Sequence, residues 1–278
     1  MKLVSFSIDD GLIRPGALLE DGNLVLDLSS AYDDTLSVIS AAITALPGGV
    51  AYPSYPLAEV RIHAPLSNPP RIFCIGANYS EHAKETGHAV SEVPVVFLKM
   101  TTAIIGPGEP IVLPVNSSEP DYEAELAFVI GHGGFRIPAD EWRRHVYGYT
   151  IVNDVSARDV QRATSQWSLA KSFPTFCPMG PVIVTADEIT EPHSLDIRLD
   201  IDGEVLQHAS TNQFVFQIPR LVEYISSITP LLPGDIVSTG TPAGVGIGRT
   251  PKRWLKPGET VNITIEGIGT LTNPVVAE

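Results

Sequence analysis

Two glutamates one residue apart, Glu123 and Glu125, sit in the string Asp121-Tyr122-Glu123-Ala124-Glu125-Leu126-Ala127-Phe128-Val129. Side chains on a strand alternate between faces. Asp121, Glu123 and Glu125 therefore share one face, and Tyr122, Ala124 and Leu126 the other. Carboxylates gathered on an apolar strand repel each other and lose hydration unless a cation sits between them. A hard divalent ion with oxygen ligands meets that need. An exposed edge strand with its acids in water accounts for the pattern equally well.

Asp154 directly follows the apolar run Tyr149-Thr150-Ile151-Val152, and a strand end is where a side chain reaches a site built on a sheet. Asp154, Arg158 and Gln161 fall at i, i+4 and i+7, one face of a helix. A capping Asp154 paired with Arg158 at the surface explains the same spacing. His82 and Glu85 are i, i+3 neighbours in Tyr79-Ser-Glu-His-Ala-Lys-Glu-Thr-Gly87. A carboxylate beside an imidazole raises its basicity, which suits a general base near neutral pH. A solvated helix face is the plainer account of that pair. His82 and His88 are six apart, which does not match the zinc pattern His-Glu-x-x-His. Lys171 lies among apolar and aromatic residues in Trp167-Ser-Leu-Ala-Lys-Ser-Phe-Pro-Thr-Phe176. It is either a surface residue or a buried cation facing an anion. The stretch Gly234 to Gly246 runs from a strand into a Gly/Thr-rich loop, whose N–H groups and hydroxyls suit an oxyanion or carboxylate. No Gly-Lys-Ser/Thr follows it and no Gly-x-Gly-x-x-Gly opens a helix, so P-loop and Rossmann readings fail.

The elements that must position these residues belong to a chain of 278 residues, 44% hydrophobic, with a formal charge of −14. The apolar share excludes wholesale disorder. The acidity argues against nucleic acid, whose affinity comes from Lys and Arg neutralising phosphates. The 24 prolines and 23 glycines are scattered, so they read as many turns between short strands. Two distant cysteines, Cys74 and Cys177, imply no disulfide framework, and Cys74 reads as a buried core thiol. The N-terminus lacks a signal-peptide pattern, and no apolar run of about 18 residues suggests a membrane span. The expectation is a soluble, cytoplasmic protein.

Lys2–Ile8, Ala17–Leu19 and Leu24–Leu28 read as a meander with Asp-Gly turns, and Asp33-Asp34 as a helix cap before Leu36–Ile39. The proline-rich stretch 63–70 is the best boundary. It divides a small β-rich N-terminal domain, 1–66, from a catalytic domain, 67–278. After it, Arg71–Ile75, Val95–Lys99, Ile111–Leu113, Glu123–Ile130, Gly148–Asn153, Pro181–Val184, Leu195–Ile201, Ile236–Ser238 and Val261–Ile265 read as strands. Ser80–Thr86, Ala139–Val146 and Ile218–Ile228 read as helical. The segment from Ser80 to Pro94, with Gly87 and few apolar residues, is expected to be mobile. The fold class is strand-rich α+β, without βαβ alternation.

The order of the motifs along the chain resembles the fumarylacetoacetate hydrolase family. The strings carrying the likeness are Cys74-Ile-Gly-Ala-Asn-Tyr-Ser-Glu-His82, Phe97-Leu-Lys99, Tyr122-Glu-Ala-Glu-Leu126, Asn153-Asp-Val-Ser-Ala-Arg-Asp159, Ala170-Lys-Ser-Phe173 and Thr239-Gly-Thr-Pro-Ala-Gly-Val-Gly246. The resemblance covers about residues 70–278. It implies a mixed β-roll or sandwich core, a homodimer, and Mg²⁺ or Mn²⁺ held by Glu123, Glu125 and Asp154. It further implies a His82–Glu85 dyad that activates water or moves a proton, with Lys171 at the metal. Tyr79, Arg158, Gln161 and Thr241 would contact a 2-oxo acid.

The leading expectation is hydrolysis of a C–C bond in a 2,4-dioxo acid of the acylpyruvate or fumarylacetoacetate type. Isomerisation or decarboxylation of a related oxo-dioic acid needs the same electron sink and is the alternative. A small-molecule-binding pseudoenzyme is a third reading. Two positions depart from the family's habit. Ala77 stands where the acylpyruvase branch often has arginine. Pro174 stands where many members have aspartate, which is expected to alter the loop after Lys171 and remove a charge near the pocket.

Overall fold

The structure is a computed structural model and describes residues 1–9, 11–19, 22–46, 51–87 and 91–278. The turn residues Asp10 and Asp21, the Pro47-Gly48-Gly49 helix stop, His88, and positions 89–90 of the segment read as mobile lie outside the described residues.

The strand Ala124–Ile130 is buried at every position. Its alternation feeds two apolar clusters. Ala124, Leu126, Phe128 and Ile130 join one, and Ala127 and Val129 the other. Glu125 thus lies on an apolar-packed face in the middle of a sheet, which removes the exposed-edge account. The strand pairs antiparallel with Val146–Asn153 on one side and with Ile236–Ser238 on the other.

These strands belong to a mixed sheet of 12 among the described residues. Across it, neighbours run Ser54–Pro56, Leu24–Asp27, Arg14–Leu18, Lys2–Ser7, Cys177–Thr185, Val146–Asn153, Ala124–Ile130, Ile236–Ser238, Ile72–Gly76 and Val95–Lys99. The N-terminal meander continues the main sheet, with Lys2 opposite Val184 and Leu3 opposite Ile183. A second, five-stranded sheet is built from Glu204–Ser210, Asp196–Ile201, Thr260–Ile265, Gly269–Ala277 and Ile111–Leu113.

Ile236–Ser238 pairs in parallel with Ile72–Gly76, Ser238 lying opposite Cys74. The C-terminal ends of these two strands, the C-terminal end of Val146–Asn153 and the start of Ala124–Ile130 therefore meet at one end of the sheet. That end carries the two glutamates, Asp154 and the start of the Gly/Thr-rich loop.

Helix Ile218–Ile228 forms where its apolar spacing placed it, burying Ile218, Leu221, Val222 and Ile225. Asp34 caps helix Thr35–Ser40 in a reciprocal capping box with Ser37. The expected helix Ala139–Val146 is instead a 3₁₀ segment, Ala139–Arg144, and Val146 already opens the next strand. Val-Tyr-Gly-Tyr-Thr-Ile-Val is β-branched and aromatic, and the sheet takes its first residue. The i, i+4, i+7 face expected for Asp154, Arg158 and Gln161 does not form. The helix is Arg158–Ala163, and a two-residue strand, Ser156–Ala157, separates it from Asp154.

Candidate metal centre and substrate cavity

A cavity of about 350 Å³ opens at this end of the sheet. His82, Glu123, Glu125, Asp154, Arg158, Gln161, Lys171 and Thr241 all line it. One ligand oxygen from each of Glu123, Glu125 and Asp154 lies within 4.8 Å of the others, and all three residues are buried. The backbone sets this up. Asp154 N–H donates to Glu123 O at 2.9 Å, and Glu123 N–H to Asn153 Oδ1 at 3.1 Å.

Three buried cations surround the triad. Lys171 Nζ donates to Glu123 Oε2 at 2.6 Å and to Asp154 Oδ2 at 2.8 Å. Lys99 Nζ donates to Asp154 Oδ1 at 2.6 Å and also binds the carbonyls of Val155 and Lys171. Arg158 divides its three nitrogens among Asp121 Oδ2, Gln161 Oε1 and Glu123 Oε1, at 2.8, 2.9 and 2.6 Å. The surface Asp154–Arg158 pair is not made. Lys171 proves to be a buried cation facing anions.

Burial alone would raise Glu123, but Lys171 and Arg158 outweigh it and hold its carboxyl well below the usual range. Burial would lower Lys171 and Arg158, and their acid partners instead hold both above their ordinary values. Glu125 differs. It receives bonds from neutral donors, Ser238 Oγ at 2.6 Å and the Gly240 amide at 2.9 Å, both to Oε2. Burial, then the charges of Asp154 and Glu123, push it up to about 8. Buried oxygens that crowd and raise one carboxyl this way fit a hard dication, Mg²⁺ or Mn²⁺.

His82 reaches the cavity from helix Ser80–Glu85. Its Nδ1 lies 3.7 Å from Glu85 Oε2, close but beyond a hydrogen bond. Glu85 is held instead by the Gly244 amide, at 3.1 and 3.0 Å to its two oxygens. Tyr79 is not among the lining residues. It is buried edge-on against Phe214. Beside it Ala77, which does line the cavity, sits at φ +54°, a left-handed conformation costing an alanine about 1–2 kcal/mol. Asn78 holds that turn through Phe216 N and O and Thr239 O. Pro174 is exposed and outside the lining residues, so the loop change expected there does not reach the cavity.

Lys99 and Asp121, present in the motif strings but given no site role there, and Ser238, Gln207 and Trp167 complete the surroundings of the site. Asp121 accepts from the amides of Gly246 and Ile247 at 2.7 and 3.0 Å as well as from Arg158. A Cβ on Gly246 would fall 2.6 Å from Asp121 Oδ1, so only glycine allows that approach. Trp167 lines the cavity edge-on to Phe97, and a Cβ on Gly76 would fall 2.6 Å from its ring.

No helix among the described residues is long and apolar enough to cross a membrane. Residues 71–276 match the model of the fumarylacetoacetate (FAA) hydrolase C-terminal family. An oxaloacetate tautomerase of Xenopus laevis, described as mitochondrial, is 42% identical over 291 residues, covering 99% of this chain and 90% of that protein. The crystal structure of 5-carboxymethyl-2-hydroxymuconate delta-isomerase from Mycobacterium smegmatis shares 40% identity, with a TM-score of 0.82 over all of both chains. Maleylpyruvate hydrolase from Sphingobium sp. SYK-6, solved with manganese (II) and pyruvate, shares 29% identity and a TM-score of 0.82, covering 100% of this chain and 99% of that one. With the strand-rich mixed fold, the motif order and a match over three-quarters of its length, this chain belongs to the fumarylacetoacetate hydrolase family.

Proposed function

We propose that the protein is a divalent-metal-dependent isomerase that moves a proton between carbon and oxygen, or along a conjugated chain, of a 2-oxo dicarboxylic acid. The observation that carries this reading is the convergence of three buried carboxylates and His82 on one cavity. The full-length likeness to tautomerases and isomerases supports it. A bound Mg²⁺ or Mn²⁺ supplies positive charge beside the 2-oxo oxygen, which acidifies the adjacent C–H.

His82 then holds or moves the proton at that carbon. Glu85, pinned by Gly244, stands 3.7 Å from the imidazole Nδ1. Arg158 occupies Gln161 Oε1, so the Gln161 amide presents its N–H donors to a substrate oxygen. Lys171 and Lys99 fix the acids in place. Ala77, in place of an arginine, removes a cation that acylpyruvate cleavage would use.

Hydrolysis of a 2,4-dioxo acid is the second reading. The cavity favours it, since about 350 Å³ leaves room for water beside a four-carbon acid. The test is a panel of oxaloacetate, a 2-hydroxydiene dioate and an acylpyruvate with Mg²⁺ or Mn²⁺, products read by mass spectrometry and ultraviolet absorbance. Isomerisation leaves mass unchanged, hydrolysis gives two acids, and decarboxylation gives CO₂. Two acids with no change in keto–enol rate replaces the first reading by the second. Full turnover by metal-free Glu123→Ala sinks both, and tight oxalate binding without turnover on the panel makes the chain a binding protein.

A homodimer belongs to the same proposal. Its support is the sheet-edge strand Val95–Lys99, where Val95, Val96 and Leu98 are exposed, with Met100 just beyond. Light scattering tests it.

A further inference from the structure

Gln207 lies on the second sheet, in Glu204–Ser210, and is 1% exposed. No titrating group is involved, and its three contacts fix which end of the amide is which. Ala124 N–H can only donate, and it meets Gln207 Oε1 at 2.9 Å. Pro242 O can only accept, and it meets Gln207 Nε2 at 2.8 Å. The remaining Nε2 hydrogen goes to Thr241 Oγ1, also at 2.8 Å. A flipped amide would set donor against donor at Ala124 and acceptor against acceptor at Pro242, so the network leaves one assignment.

Thr241 Oγ1 is thereby an acceptor toward the protein. Its own hydrogen has no protein acceptor within reach among the described residues, and Thr241 lines the cavity at 2% exposure. We infer that Gln207 is a positioning residue that leaves the Thr241 hydroxyl hydrogen free to donate to a substrate oxygen, which favours a strong acceptor such as a carboxylate. The inference rests on the reading of the cavity as an oxo-acid site. It adds a residue from the other sheet, and a direction for the proton. Gln207 also ties two parts of the site together. Ala124 lies between the two glutamates of the triad, so one amide couples the triad strand to the substrate loop.

The test has two arms. Neutron diffraction on deuterium-exchanged, ligand-free protein locates the Thr241 deuteron whatever the enzyme does. A deuteron aimed into the cavity supports the inference, and one aimed at Gln207 overturns it. Calorimetry then measures oxalate binding to the Mg²⁺-loaded protein. Thr241→Val should weaken oxalate about tenfold, the worth of one hydrogen bond to a charged group, while Thr241→Ser stays within about twofold. Gln207→Met should weaken it less than Thr241→Val, and the double variant no more than Thr241→Val alone. Additive losses, or a Thr241→Val protein with unchanged affinity, overturn the inference. If Gln207→Met does not fold, the two Thr241 variants and the deuteron decide the matter alone. Oxalate that fails to bind the wild type, with the deuteron in the cavity, removes the oxo-acid reading and leaves the Gln207 geometry standing.

Discussion

Glu125 is the acid of the triad with no cation in hydrogen-bond contact, while Glu123 and Asp154 each have two. Its carboxyl is pushed up to about 8 from an ordinary 4.5 by burial and by its two acidic neighbours. Without metal it therefore keeps its proton for the most part at pH 7. A cation binds the ionised form, so binding at pH 7 should release most of one proton. Affinity for Mg²⁺ or Mn²⁺ should rise nearly tenfold per unit from about pH 5 to 7, and level off above 8.

The same proton governs stability. The unfolded chain loses it near 4.5 and the metal-free native chain near 8. The native state binds more protons in that window, so its stability is full below 4.5 and falls as pH rises toward 8. The slope in that window is about 1.4 kcal/mol per unit. Glu123 acts in the opposite sense, its contribution present above 4.5 and lost as pH falls. Calorimetric titration of Mn²⁺ at pH 7, in buffers of different ionisation enthalpy, reads the protons directly. A buffer dependence near zero would show Glu125 already ionised and refute the reasoning.

Lys171→Met removes one of the two cations at each of Glu123 and Asp154 and should cost about 3–5 kcal/mol, or about 6–20 °C in Tm for a chain of this size. Excess Mn²⁺ should recover much of that deficit, and a loss indifferent to Mn²⁺ would mean the ion does not replace the ammonium's charge. A Cβ on Gly248 would fall 2.1 Å from Glu85 Cδ, so Gly248→Ala must lift Glu85 off the Gly244 amide. Turnover should drop about 10–100-fold with metal affinity intact; unchanged kcat would show that Glu85 contributes nothing from that position.

The triad was legible because strand alternation is a local rule. Glu125 lies on strand Ala124–Ile130 and Glu123 just before it, their carboxylates still converging, while Tyr122, Ala124 and Leu126 enter the opposite core as the pattern requires. Burial was not legible, because it depends on which strands flank this one. Ser238 and Gly240 lie more than a hundred residues away and arrive through sheet pairing. Lys99 is brought to Asp154 from the far edge of the sheet, and its Phe97-Leu-Lys99 string does not name Asp154 as the partner. The helical face drawn through Asp154 failed for the converse reason. Spacing of i, i+4 fits a helix, but the chain first makes Ser156–Ala157, a strand held by Pro120–Asp121.

The Gly/Thr loop was read as a binder of oxyanions, and its amides do bind carboxylates, but the protein's own. Gly240 takes Glu125, Gly244 takes Glu85, and Gly246 with Ile247 takes Asp121. Substrate recognition therefore falls to side chains, and the charge around the triad decides when an anion can enter. Glu123, Asp154 and Asp121 are balanced by Lys99, Lys171 and Arg158 while Glu125 keeps its proton. A dication that displaces that proton leaves the cluster with one net positive charge by formal count. Under the proposed function, in a chain of net charge −14, that switch would give a dicarboxylate a local field to enter only after the metal is in place.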